Sequence, residues 1–214
     1  VNGRFPVRGI VDAGTTSGSP SGDENQYYMR LRRSLRERDG DGAVRAPVPS
    51  LSPFLRLGGA VAYCLCSGHE DDSSDDGHYG NVVVLLEYAG NRILLPGDSD
   101  RRAWEEKIVP TFEASGLLRT TLLLASHHGS RSFFVKVDPF SESDDWTEPY
   151  LHHIALIRPA MTIVSCGEQD HQNHPHPKAR GTYEANTNNK QVYLTRDKGT
   201  MVGCFYASGQ WTVI

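Results

Sequence analysis

The segment Leu122-Leu123-Leu124-Ala125-Ser126-His127-His128-Gly129-Ser130 constrains the fold more than any other. A short, continuous apolar run bounded by turn residues marks a buried strand, and this one stops abruptly in histidines, glycine and serine. Two other apolar runs end the same way. Leu94-Leu95 leads into Pro96-Gly97-Asp98, and Ile163-Val164 leads into Ser165-Cys166-Gly167 and on through Asp170 to His171, His174 and His176. Strand ends project side chains from a rigid sheet into surrounding loops, where binding and catalytic groups are commonly built. Three polar clusters therefore share one architectural position.

Around these runs, period-2 apolar segments alternate with amphipathic helical stretches, and no internal repeat is present. Strands are expected at Phe5 to Val11, Val61 to Cys66, Asn81 to Tyr88, Arg92 to Leu95, Thr120 to Ala125, Met161 to Cys166, Gln191 to Leu194, Thr200 to Tyr206 and Trp211 to Ile214. Helices are expected from Asp23 or Asn25 to Arg38, from Asp100 to about Ala114 with Pro110 bending or ending it, from Trp146 to Ile157, and from Pro177 to Asn188. Gly14 to Gly22 and Asp39 to Pro53 read as loops. Interleaved strands and helices predict an α/β or α+β class with helices covering sheet faces, and 214 residues suit one domain, 1–214.

Composition narrows the function classes. At 38% hydrophobic and 22% charged residues the chain is an ordinary globule, which excludes disordered, collagen-like and coiled-coil classes. A net charge of −4 gives no overall pull toward nucleic acid, so any such binding has to be local. No stretch approaches the roughly 18 apolar residues that span a bilayer, and no signal peptide is visible, so no membrane association and a cytoplasmic location are expected. Cys64, Cys66, Cys166 and Cys204 lack zinc-ribbon spacing and read as reduced thiols in apolar runs.

Imidazole nitrogen and carboxylate oxygen are the ligands that hold Zn²⁺ or Mn²⁺ while leaving a position open for water. Each cluster also has a plainer reading. Asp98 after Gly97 suits a turn or helix cap, His127 and His128 suit hydrogen-bonded loop residues, and the 171–176 run is His- and Pro-rich in a way that suggests metal only by composition. Their coincidence at three strand ends favours a metal site.

The succession Asn81…Leu94-Leu95-Pro96-Gly97-Asp98, Leu122 to Ser132 with its His-His-Gly-Ser, Ile163-Val164-Ser165-Cys166-Gly167…Asn173-His174-Pro175-His176-Pro177, and Tyr193-Leu194-Thr195…Gly199 resembles the metallo-β-lactamase superfamily. The branch it resembles most holds the hydrolase domain of ComEC-type DNA-uptake proteins, and the likeness runs from about Leu57 to the C-terminus. It implies an αββα sandwich with one or two ions, Zn²⁺ or Mn²⁺, at one edge, where a metal-bound hydroxide attacks an ester, amide or phosphodiester. By position, the resemblance makes Asp98 the carboxylate at the metals. It places His127, His128 or both in the site, with Asp98 and His128 as catalytic residues, and makes His174 the late histidine ligand. His176 is a second candidate ligand or a neighbour that supports one. Ser130 and Ser132 either orient substrate or, as small hydroxyl residues beside glycine, close the turn.

The superfamily's early His-x-His-x-Asp-His motif has no counterpart here. His69 and His78 stand alone in an acidic stretch, and Pro96 stands where Thr is usual. Two alignments compete: one expects a preceding segment, on this or another polypeptide, to supply the motif. The other makes Val11-Asp12-Ala13-Gly14 the first-strand element and leaves an inactive, motif-less protein.

Arg30, Arg32, Arg33, Arg36 and Arg38 form a basic helical row that suits either a phosphate backbone or a solvated helix face. Two function classes follow. The first is a metal-dependent hydrolase acting on nucleic acid or a small phosphodiester. The second is a catalytically incomplete domain of the same fold that binds or regulates, or is completed by the missing segment or a partner protein.

Overall fold

The computed structural model describes residues 9–12, 23–68, 79–137, 146–168 and 174–214. The expected strand over Phe5 to Val11 is present as β1 (Ile10–Val11), with residues 5–8 outside the described part. It pairs in parallel with β2 (Val44–Arg45), a strand inside the expected 39–53 loop. Between them runs α1 (Asp23–Asp39), which packs Leu31 and Leu35 against Ile10, Ala43 and Val44 in a small cluster of its own. One of the five helix arginines is turned inward: Arg32, 5% exposed, meets Asp12 at 3.2 Å, and Asp12 also accepts the Tyr28 hydroxyl at 2.5 Å. The basic row is therefore not a uniform solvent-facing stripe.

The main body is a seven-stranded mixed sheet whose order follows the chain: β3 (Leu55–Leu57), β4 (Ala60–Cys66), β5 (Val83–Tyr88), β6 (Asn91–Leu95), β7 (Leu122–Leu124), β8 (Met161–Val164) and β9 (Val192–Leu194). The first four are antiparallel, and β6 through β9 are parallel. The β5–β6 hairpin turns at Ala89-Gly90, where both residues take positive φ and the glycine does so without side-chain strain.

Parallel strands need crossovers, and three helical segments supply them. The first, from Arg101 to Ser115, carries a π-helical turn over Trp104–Ile108, with Pro110 in the first turn of the α-helical piece that follows. The second is the short helix His152–Ile157, so the expected Trp146 start is shortened to its last two turns. The third is Pro177–Asn186.

All three pack on one sheet face. Leu85, Leu94, Leu123, Val164 and Leu194 on that face join Trp104, Ile108, Phe112, Phe133, Phe134, Ile154 and Tyr183 in a single core cluster. Strand alternation sends Val84, Leu86, Ile93, Leu95, Leu124 and Ile163 to the other face, where Leu86 is exposed and the others are only partly buried. The hairpin of β10 (Gly203–Phe205) and β11 (Trp211–Val213) lies on that side, with Asn91 donating to the Gly209 carbonyl at 2.8 Å. Among the described residues no helix is long and apolar enough to cross a membrane.

Candidate functional site

The parallel alignment of β6, β7 and β8 brings the three sequence clusters to one edge of the sheet, at the strands' C-terminal ends. That edge is where open α/β sheets place their sites. Backbone hydrogen bonds tie the loops together. The His127 N–H donates to the Gly97 carbonyl at 3.0 Å, and the buried Ser126 hydroxyl reaches the Ser99 carbonyl at 2.6 Å and that of Gly97 at 3.2 Å. The Asp98 loop is thereby held against the start of the histidine loop. Ser99 is anchored in turn by Trp104, whose indole N–H donates to its hydroxyl at 2.9 Å.

The third cluster is locked on by close approach. The His176 N–H donates to the Gly129 carbonyl at 3.1 Å. A Cβ on Gly129 would lie 2.6 Å from Pro175 Cβ and 3.2 Å from Val164 Cγ1, so only glycine lets these loops meet. Gly129 also takes φ +81°, and His127 and His128 before it take φ +46° and +56°. Three successive left-handed residues, two with side chains, cost about 1–3 kcal/mol each at the non-glycine positions. Strain of this kind persists where the surrounding structure over-determines it, and such positions cluster at functional sites.

The strained turn gathers imidazoles. The ring centroids of His127, His128 and His174 are 6.4, 5.6 and 6.4 Å apart for the 127–128, 127–174 and 128–174 pairs, and the last pair is stacked. His128 Nδ1 is 2.8 Å from the Ser165 carbonyl, and His127 Nδ1 is 3.2 Å from the Ser132 hydroxyl. Because a carbonyl only accepts, His128 Nδ1 carries the hydrogen and Nε2 the lone pair of the neutral ring.

His176 does not share this ring group. It stacks on Trp146 instead, with parallel planes (2°) and ring centroids 5.6 Å apart. Asp98 is half-buried on its tied loop. His171 and Asp170, like His69, His78 and the acidic stretch, lie outside the described residues. Sequence reasoning missed the Trp146 stack and the Ser165 carbonyl contact; neither leaves a spacing signal.

These donors suit a divalent cation by type, imidazole nitrogen with a carboxylate on the Asp98 loop that is tied to theirs. Among the described residues no three His, Cys, Asp or Glu side chains already converge on one ion position. The fit is thus in donor chemistry and loop placement. No protein-family model matches the chain, and no curated protein matches it.

Proposed function

We propose that this chain is a metal-dependent hydrolase domain of the metallo-β-lactamase type, acting on phosphodiesters of nucleic acid or a small molecule. The observation that carries the reading is the grouping of three imidazole rings from two loops on a strained turn whose backbone is tied to the Asp98 loop. On the same reading, the seven-stranded sheet with helices on one face is one half of an αββα sandwich.

A Zn²⁺ or Mn²⁺ ion, when bound, lowers the pKa of water toward neutrality and stabilises developing oxyanion charge. The chain's own residues do the rest. His127, His128 and His174 supply imidazole nitrogens, Asp98 supplies the carboxylate, and the Gly129–Pro175 contact and the Ser126 hydrogen bonds keep their loops from moving apart. Ligands held before the ion arrives lose little freedom on binding it. His176 is assigned to the wall of the site through its stack on Trp146.

A second reading, an incomplete domain that binds or regulates or is completed by another segment, is favoured by the lack of a converged ligand set among the described residues. Metal analysis with Zn²⁺ and Mn²⁺ titration, joined to hydrolysis assays on nucleic acid, phosphodiester, lactam and thioester substrates, separates the two. Asp98→Ala, His128→Ala and His174→Ala are expected to weaken metal binding about tenfold or more, and His176→Ala to leave it within a few-fold. Metal binding without turnover supports the second reading. Unchanged metal content in Asp98→Ala and His128→Ala overturns the site.

A further inference from the structure

We infer that Ser132, backed by Ser130, is a positioning residue that fixes the tautomer of His127. The Ser132 hydroxyl lies 3.2 Å from His127 Nδ1 and donates to the Ser130 hydroxyl at 3.1 Å. A hydroxyl has one proton to give. With that proton committed to Ser130, Ser132 accepts from His127, so Nδ1 carries the hydrogen and Nε2 the lone pair.

Ser130 is placed to act as the fixed end of this chain. It is 7% exposed, its hydroxyl also accepts the Ser132 N–H at 3.3 Å, and its own N–H donates to the His127 carbonyl at 2.8 Å. The segment from His127 to Ser132 therefore closes on itself, and Ser132 cannot swing away without breaking the ring of bonds. His128 reaches the same tautomer through an unrelated partner, the Ser165 carbonyl. Two adjacent, strained histidines are thus both held as Nδ1–H, one by a hydroxyl pair and one by a strand-end carbonyl. Arranged this way, both Nε2 atoms carry the lone pair that a metal ligand needs, and outer partners of this kind are typically worth about 10–100-fold in metal affinity.

The tautomer assignment stands on hydrogen bonds alone; its consequence for metal rests on the function proposed above. The test is nitrogen-15 NMR of the imidazole rings in the metal-free full chain, above the range where histidine titrates, paired with Zn²⁺ titration. Wild-type His127 and His128 should both show the Nδ1–H pattern. Ser132→Ala should release His127 into a mixture of tautomers, leave His128 as it was, and weaken Zn²⁺ binding about 10–100-fold; Ser132→Thr should restore both. Ser130→Ala, which removes the acceptor behind Ser132, should shift His127 in the same direction and serves if Ser132→Ala fails to fold. A wild-type His127 carrying its hydrogen on Nε2 overturns the inference, as does weakened metal binding in Ser132→Ala with an unchanged tautomer. The expected tautomers in a chain that binds no Zn²⁺ would instead sink the metal reading and leave the role of Ser132 intact.

Discussion

Burial of an imidazole carries a cost that depends on pH, and His153 bears it. Its ring is fully buried among Trp104, Phe133, Phe134 and Tyr150, stacked on the last at 5.2 Å, and neither ring nitrogen has a hydrogen-bonding partner among the described residues. Loss of solvent pushes its pKa down to about 3, with Arg101 and His152 adding repulsion of the charged form. The unfolded chain takes up this proton near pH 6.5 and the native state does not, so stability is complete above that value and falls as pH drops toward 3. The slope from this one group is about 1.4 kcal/mol per pH unit at its steepest. His153→Phe keeps the aromatic packing and removes both unmet nitrogens. Denaturant unfolding of that variant is expected to show equal or greater stability at neutral pH and a shallower loss between pH 6 and 4. The same slope in both proteins would show that the burial is relieved in solution. None of this was legible in the sequence, where His152-His153 is simply a pair in a helical stretch, one exposed and one enclosed.

The turn after β7 shows what an element contributes beyond its residues. The apolar run and its polar end were readable, because a buried strand must be apolar and must stop where the chain leaves the sheet. The left-handed backbone at His127 and His128 was not, since non-glycine residues adopt it only when contacts elsewhere enforce it. Gly129 was the visible clue, and its reason is the Pro175 contact rather than turn flexibility alone. Likewise the expected helix from Asp100 kept its Trp104, Ile108 and Phe112 stripe, all fully buried, yet it passes through a π-helical turn that the spacing does not reveal. Gly129→Ala combines a strained φ with a collision, and should cost at least about 1–3 kcal/mol in denaturant unfolding. It should also separate the His127 and His174 loops, so on the metal reading proposed above Zn²⁺ affinity should fall with it. Gly167→Ala, at the neighbouring strand end with no atom of the described residues within 4 Å of an added Cβ, is the matched control and should be close to neutral. Equal effects in the two variants would mean that the two loops are not packed as described.

At the scale of the whole molecule, strand order is what made the site partly readable. Because β6 to β9 lie side by side in chain order, three strand ends met in the sequence as separate clusters become neighbours in space without any long-range rearrangement. The short β3 and β2 escaped notice because three- and two-residue strands carry almost no periodic signal. The same topology divides the core. The sheet and its crossover helices share one large apolar cluster, whereas α1, β1 and β2 are held by a separate one whose buried members, among the described residues, are Leu35, Ala43 and Val44. The two meet through the 46–54 segment, where the Ser67 hydroxyl donates to the Pro47 carbonyl at 2.7 Å and the Ser50 N–H to that of Cys64 at 3.2 Å. Each buried aliphatic side chain is worth about 1.5–3 kcal/mol, so the small cluster offers far less against the entropy of ordering a 17-residue helix than the main core offers its strands. The Arg32–Asp12–Tyr28 contacts help, although a single buried ion pair adds little net stability. Native-state hydrogen exchange should therefore resolve two levels of opening: amides of 26–39 and 44–45 exchanging at a lower free energy, and those of β5 to β8 only with global unfolding. Protection of α1 equal to that of β7 would show instead that the 46–54 connection couples the two clusters into one cooperative unit.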